Sequence, residues 1–193
     1  MNKIDHYTNL FQSLHTNVQK GKPAPHKALL LLAIIDLIED GTIYDNRILL
    51  TDELEATYKK LWKKLLGKSL LFSPDVYKPY YHMNHEPFWE LIPVDTAPAS
   101  YQMVADDSQT YTTTLQKKEE PRYTKKWMRS HYRYAEIDIE LFRILQDENA
   151  RAQLRLTLIG TYLVGQPIEV PLSFATTMSS LALLSTIFEL LVA

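Results

Sequence analysis

Apolar residues recur along the first eighteen positions at three- and four-residue spacings, with Tyr7, Leu10, Phe11, Leu14 and Val18 forming one stripe. That spacing predicts an amphipathic helix over 7–18. The stretch Gly21-Lys22-Pro23-Ala24-Pro25 breaks it. From His26 to Asp40 the chain is apolar nearly all round, with Pro25 suited to the first helical turn and Gly41 to the position after the end. A helix without a polar face belongs in the middle of a core. Thr42 to Leu50 is rich in β-branched and aromatic residues around Asp45-Asn46, which predicts a short strand or hairpin. Thr51 then offers an N-cap, followed by Asp52 and Glu53 where the helix dipole favours anions. The helix it opens should run to Leu66 and stop at Gly67, with Lys59, Lys60, Lys63 and Lys64 making one face cationic.

Phe72 to Val94 changes to an aromatic, extended pattern, and Asn84-His85-Glu86 between its halves predicts two strands and a polar turn. Ala97 to Thr114, poor in large aliphatics, reads as a loop or linker. Ile137–Gln146 and Arg151–Leu163 have the periodicity of two further helices, with Asp138 and Asp147 as starts. No internal repeat is present. The expected fold class is α+β: a mainly helical domain with a small antiparallel sheet or hairpin, followed by a helical C-terminal extension. The expected division is a recognition core over 1–94, a linker and basic aromatic segment over 95–134, and a helical extension with an apolar tail over 135–193.

That tail is unusual, because Leu172 to Ala193 holds Glu189 as its only charge. Its 22 residues would span a bilayer. Its seven Ser/Thr, and the lack of any basic anchor beside it, argue instead for a segment packed on the protein or covered by a partner.

Composition narrows the chemistry. The 193 residues include no cysteine, which excludes disulfide scaffolds, thiolate nucleophiles, Fe–S clusters and Cys-ligated zinc. With 21 Lys+Arg against 23 Asp+Glu the net charge is −2, so any argument for nucleic acid must rest on local charge. The polar N-terminus lacks the apolar run of a secretory signal, and a cytoplasmic location is expected.

No catalytic centre emerges. His82, Asn84 and His85 lie within four residues of one another, too compressed to place a base and a metal ligand on opposite sides of a phosphate. His82 and His85 also lack a second ligand pair at zinc spacing. The five glycines stand singly, so there is no phosphate-cradling loop and no Gly-x-Ser-x-Gly elbow. No metal and no cofactor are expected.

Anion binding has better signals. Lys20, Lys22, His26 and Lys27 surround the proline-bracketed entry into the apolar helix, where free backbone N–H groups would add to them. Residues 117–134 hold seven cations against two glutamates, and Arg122, Lys125, Lys126, Arg129 and Arg133 alternate with Tyr123, Trp127, His131, Tyr132 and Tyr134. That mixture suits phosphate contacts combined with stacking.

The stretches Ala24-Pro25-His26-Lys27-Ala28-Leu29-Leu30-Leu31-Leu32, Pro79-Tyr80-Tyr81-His82-Met83 and Pro87-Phe88-Trp89-Glu90-Leu91 resemble the sulfur-binding domain of phosphorothioation-dependent restriction endonucleases of the McrA kind, which are HNH endonucleases. Tyr134-Ala135-Glu136-Ile137-Asp138 and the helical pattern through Leu163 resemble the segment that precedes their nuclease module, so the likeness covers roughly residues 5 to 164. The resemblance implies a module that reads duplex DNA through its backbone and accepts sulfur in place of a non-bridging oxygen. Sulfur is larger and a poorer hydrogen-bond acceptor than oxygen, so such a site needs a small apolar cavity beside cations. By position, His26 and Lys27 match the family's pair after the proline, and Pro79 with Lys78 and Tyr80 matches the tyrosine-proline loop lining the sulfur cavity. Lys78 stands where the family has tyrosine, and His82 where it prefers a small residue. The expected DNA-binding set is therefore Lys22, His26, Lys27, Lys78, Arg122, Lys125, Lys126, Arg129 and Arg133, with Pro79, Tyr80 and His82 as sulfur-cavity candidates. The family's catalytic module has no counterpart in Leu172–Ala193, so the expectation is a reader of duplex DNA, phosphorothioated in the favoured case, that does not itself cleave. The alternatives are an interaction or regulatory subunit that docks a partner protein or a second copy through the apolar tail, and a shortened HNH endonuclease relative.

Overall fold

Helix α2 (His26–Glu39) is the axis of the molecule, and all but three of its side chains are buried. A computed structural model describes residues 3–67, 71–94 and 122–165. Before α2 come α1 (Lys3–Gln12) and a hairpin of β1 (Val18–Gln19) and β2 (Lys22–Pro23). After it come β3 (Arg47–Ile48), α3 (Asp52–Leu65), α4 (Tyr77–His82), a 3-10 turn over Met83–His85, and β4 (Trp89–Pro93). The remainder is α5 (Lys125–His131), β5 (Tyr132–Ile137), α6 (Ile139–Ile144) and α7 (Glu148–Leu158), which passes into a π-turn at Ile159–Leu163. The fold is α+β, mainly helical with two small antiparallel sheets, as the hydrophobic pattern predicts.

Helices α3 and α7 both pack against α2, and α7 packs against α1 as well. The polar positions left on α2, Asp36 and Glu39, both accept from Arg155 of α7 at 2.6 Å. Three side-chain caps set helix starts: the Thr51 hydroxyl accepts from the Leu54 N–H, Thr124 from Trp127 and Asp147 from Ala150. Asp138 makes no such cap; its carboxylate accepts instead from the Tyr7 hydroxyl.

The three-stranded sheet runs β3-β5-β4, with Ile48 and Leu91 both opposite Ala135. Pro93, which has no N–H to give, sits at the irregular end of edge strand β4. The small hairpin closes through Lys20 at φ 49° and Gly21 at φ 75°, two successive left-handed residues that suit the right-handed twist of its strands. One hydrophobic core joins elements on both sides of the divisions expected at 94 and 134.

Two expectations are corrected. The first helix stops at Gln12 rather than Val18, and Val18 is 65% exposed in β1. Distant side chains capture the chain just beyond α1: the Leu14 N–H donates to the Tyr162 hydroxyl at 2.8 Å, and the His15 N–H to Glu86 at 3.0 Å. Residues 72–94 form one strand instead of two. Asp75 accepts from the Tyr77 N–H at 2.9 Å and opens α4, whose third residue is Pro79, a position where a missing N–H costs nothing. The partner of β4 is β5, which begins inside the basic aromatic stretch and runs into the segment expected to open the helical extension. The stretch 97–114 and the tail 172–193 lie outside the described residues.

Candidate nucleic-acid interface

A cavity of about 690 Å³ opens where α2 begins, bounded by the stretch leading into β1, by residues 71–75, and by α4 with its 3-10 turn. It brings together five residues that sequence reasoning singles out at separate places: His26, Lys27, Lys78, Pro79 and His82. Pro25 occupies the N-cap of α2 and supplies no side-chain acceptor. The first N–H of that helix with an intrahelical partner is Leu29, on the Pro25 carbonyl at 2.9 Å. The N–H groups of His26, Lys27 and Ala28 therefore precede the ladder, and the positive end of the helix dipole faces the same region.

Lys27 does not offer its charge to solvent. Its ammonium is buried and donates to the Glu86 carboxylate, which is equally buried and also accepts from the His15 N–H. His15 Nδ1 lies 3.3 Å from the other Glu86 oxygen. Neither His15 nor Glu86 is evident from sequence, because Glu86 sits in a polar triplet that reads as an exposed turn.

His26 is held in one orientation. Its Nε2 lies 3.0 Å from the Ser73 carbonyl, which can only accept, so Nε2 carries a hydrogen. Burial lowers its pKa from the ordinary 6.5, leaving a neutral imidazole at pH 7. His82 is lowered as well, by burial first and then by the charges of His85, Lys27 and Lys78. The Trp62 and Phe72 rings pack against the His26 ring at 5.1 and 5.5 Å. Tyr123 lies 5.3 Å from His82, and His85 lies 5.8 Å from it on the other contact. Lys78 is exposed at the rim, 5.9 Å from the Tyr123 ring. The carboxylate in the lining, Asp75, is engaged by the Tyr77 N–H.

The other candidates lie elsewhere. Tyr80 points away from this cavity: its ring is buried, its hydroxyl donates to the Ile48 carbonyl at 2.6 Å, and it borders a second cavity of about 420 Å³ together with Arg129 and Arg133. Lys22 lies in β2, outside the cavity lining. On α5, Lys125 is bound to Asp52 and Glu55, and Arg129 donates twice to the Leu50 carbonyl and lies 3.6 Å from Asp52. The acidic first turn of α3 thus offsets part of the basic segment. Arg122 and Lys126 are exposed. On the lysine face of α3, Lys59 is paired with Glu55 at 2.6 Å.

Among the described residues no group of three or more His, Asp or Glu is arranged to hold a metal ion, and no helix is long and apolar enough to cross a membrane. No protein-family model matches the chain, and no curated protein matches it.

Proposed function

We propose that this protein is a cytoplasmic reader of duplex DNA that grips the sugar-phosphate backbone at the cavity beside α2, and that a phosphorothioate linkage is its favoured ligand. The observation that supports this reading is the convergence of His26, Lys27, Lys78, Pro79 and His82 on one cavity. Lys78 and the first turn of α2 supply attraction for the remaining anionic oxygen, and Pro79 supplies an apolar surface on which the larger, weakly accepting sulfur loses little by leaving water. Neutral His82 can donate one hydrogen bond without a full charge, which suits an anion whose charge is spread onto sulfur, while the single N–H of neutral His26 is engaged by the Ser73 carbonyl. Exposed Lys126 and Arg122 extend the contact along the strand through phosphates that carry no sequence information.

The test is a fluorescence-anisotropy titration of labelled duplexes, one plain and one carrying a single phosphorothioate of each stereochemistry, at near-physiological salt. The expected result is at least tenfold tighter binding of one stereoisomer. Equal binding of all three overturns the sulfur preference, and no binding overturns the DNA reading altogether.

A further inference from the structure

The cavity is large for a phosphate. Its 690 Å³ falls in the range of sites that enclose whole small molecules, roughly 300–1,000 Å³, and its wall is ring-rich. Two supported ring clusters meet there: His26 against Trp62 and Phe72, and His82 against Tyr123 and His85. Both histidines are depressed in pKa by burial, so at pH 7 each presents a neutral π-surface. Asn17 and Gln19, exposed on the hairpin side of the same lining, carry amides of the kind that read base edges. A backbone phosphate alone would use neither the ring faces nor the amides.

Resting on the reading of this cavity as a phosphate site, we propose that it accommodates a complete nucleoside monophosphate unit, with the phosphate beside Lys78 and the start of α2 and the base against the His26 and His82 ring clusters. Such a unit can come from a strand, extruded from its stack, or from a free nucleotide. The recognition chemistry is the same for both: an anion at one end, a flat ring between imidazoles, and amides at its hydrogen-bonding edge.

The experiment is calorimetric titration of the full chain with each of the four deoxynucleoside monophosphates and, as the baseless control, 2-deoxyribose 5-phosphate. At least one nucleotide is expected to bind tenfold or more tightly than the control, the gain that stacking of one base supplies. His82→Ala should bring the ratio of nucleotide to control affinity to about one, whatever it does to the control itself. Tyr123→Ala, which removes the ring behind His82, should reduce the gain in the same direction and serves if His82→Ala does not fold. Equal affinity for nucleotide and control, or no binding of either, overturns the proposal even where plain duplex binds and the backbone reading stands. A parallel titration separates the sources. Extrusion costs less at a mismatch, so a duplex with one mismatched pair should bind several-fold more tightly than its matched counterpart if the unit comes from a strand. Nucleotide binding with no duplex binding assigns the site to free nucleotides and overturns the backbone reading alone.

Discussion

The Lys27 ammonium and the Glu86 carboxylate, 59 positions apart in the chain, form an ion pair in which the side chains are 6% and 2% exposed. The pair ties the first turn of α2 to the end of the 3-10 turn after α4, and through the His15 N–H it also fixes the exit from α1. Removing one member of such a pair leaves a buried charge with no counter-ion, which costs about 3–5 kcal/mol. Lys27→Met should therefore destabilise the protein by about that much in urea unfolding. Lys27→Met with Glu86→Gln should recover most of the loss, because the glutamine oxygen can still accept from the His15 N–H. A single-variant cost below about 1 kcal/mol would show that the pair is not buried in solution.

The same pair marks the limit of what can be read from the chain. The apolar run of α2, the Thr51 cap and the Asp147 cap follow from local rules, and each is present. Of the residues lining the cavity, His26 and Lys27 are legible from the proline-bracketed helix entry, whereas Lys78, Pro79 and His82 are singled out as site residues only through the family resemblance. Glu86 and His15 are not legible, since nothing in Asn84-His85-Glu86 distinguishes a buried counter-ion from a solvated turn. Local pattern also misplaces Tyr77–His82, where aromatic residues with high strand preference form a helix because Asp75 turns the chain into it by accepting from the Tyr77 N–H, and because β5 already occupies the side of β4 they would have paired with. The exposed Val18 shows the same override, its helix ended by Tyr162 and Glu86 from far along the chain.

Lys78 is the exposed cation at the cavity rim, so it, rather than Lys27, should report phosphate contact. Each phosphate neutralised releases counterions and adds about 0.9 to the slope of log K against log salt. Lys78→Ala is expected to weaken duplex binding regardless of base sequence and to lower that slope by about one, with little change in unfolding midpoint. Anisotropy titrations at several salt concentrations check it. An unchanged slope would place the backbone contact away from the cavity.

Pro79 and Tyr80 are adjacent in sequence but face different surroundings, which makes them a paired test. Pro79 lines the cavity, and Pro79→Ala should reduce the preference for phosphorothioate over plain duplex with a small effect on stability. Tyr80 is buried with its ring edge-on to Trp89 at 5.3 Å and its hydroxyl on the Ile48 carbonyl. Tyr80→Phe removes that buried hydrogen bond and should cost about 1 kcal/mol in stability while leaving the preference unchanged. A loss of selectivity in Tyr80→Phe at full stability would contradict this division of labour.

Acid should weaken the fold in two separate windows, an upper one from buried imidazoles and a lower one from stabilised carboxylates. His26 is neutral and buried in the native protein with its pKa below the ordinary 6.5, so the unfolded chain binds the proton first. Its contribution is therefore present above about pH 6.5 and is lost as pH falls from there through the lowered native value, and His82 adds in the same direction. Glu55 behaves as a stabilised anion: hydrogen bonds from Lys59 and from the Tyr77 hydroxyl hold its pKa at about 2, against an ordinary 4.5. Its contribution is present above about pH 4.5 and disappears only as pH falls from 4.5 toward 2. Urea midpoints measured from pH 8 to pH 3 should decline first below about 6.5 and again below about 4.5. His26→Gln, whose amide can still donate to the Ser73 carbonyl, should reduce the upper decline and leave the part that His82 carries, and Glu55→Gln should reduce the lower one, to which Glu39, Asp45, Asp52 and Glu140 also contribute. A His26→Gln profile whose upper decline is undiminished would mean that the imidazole is already protonated, or solvated, in the native protein.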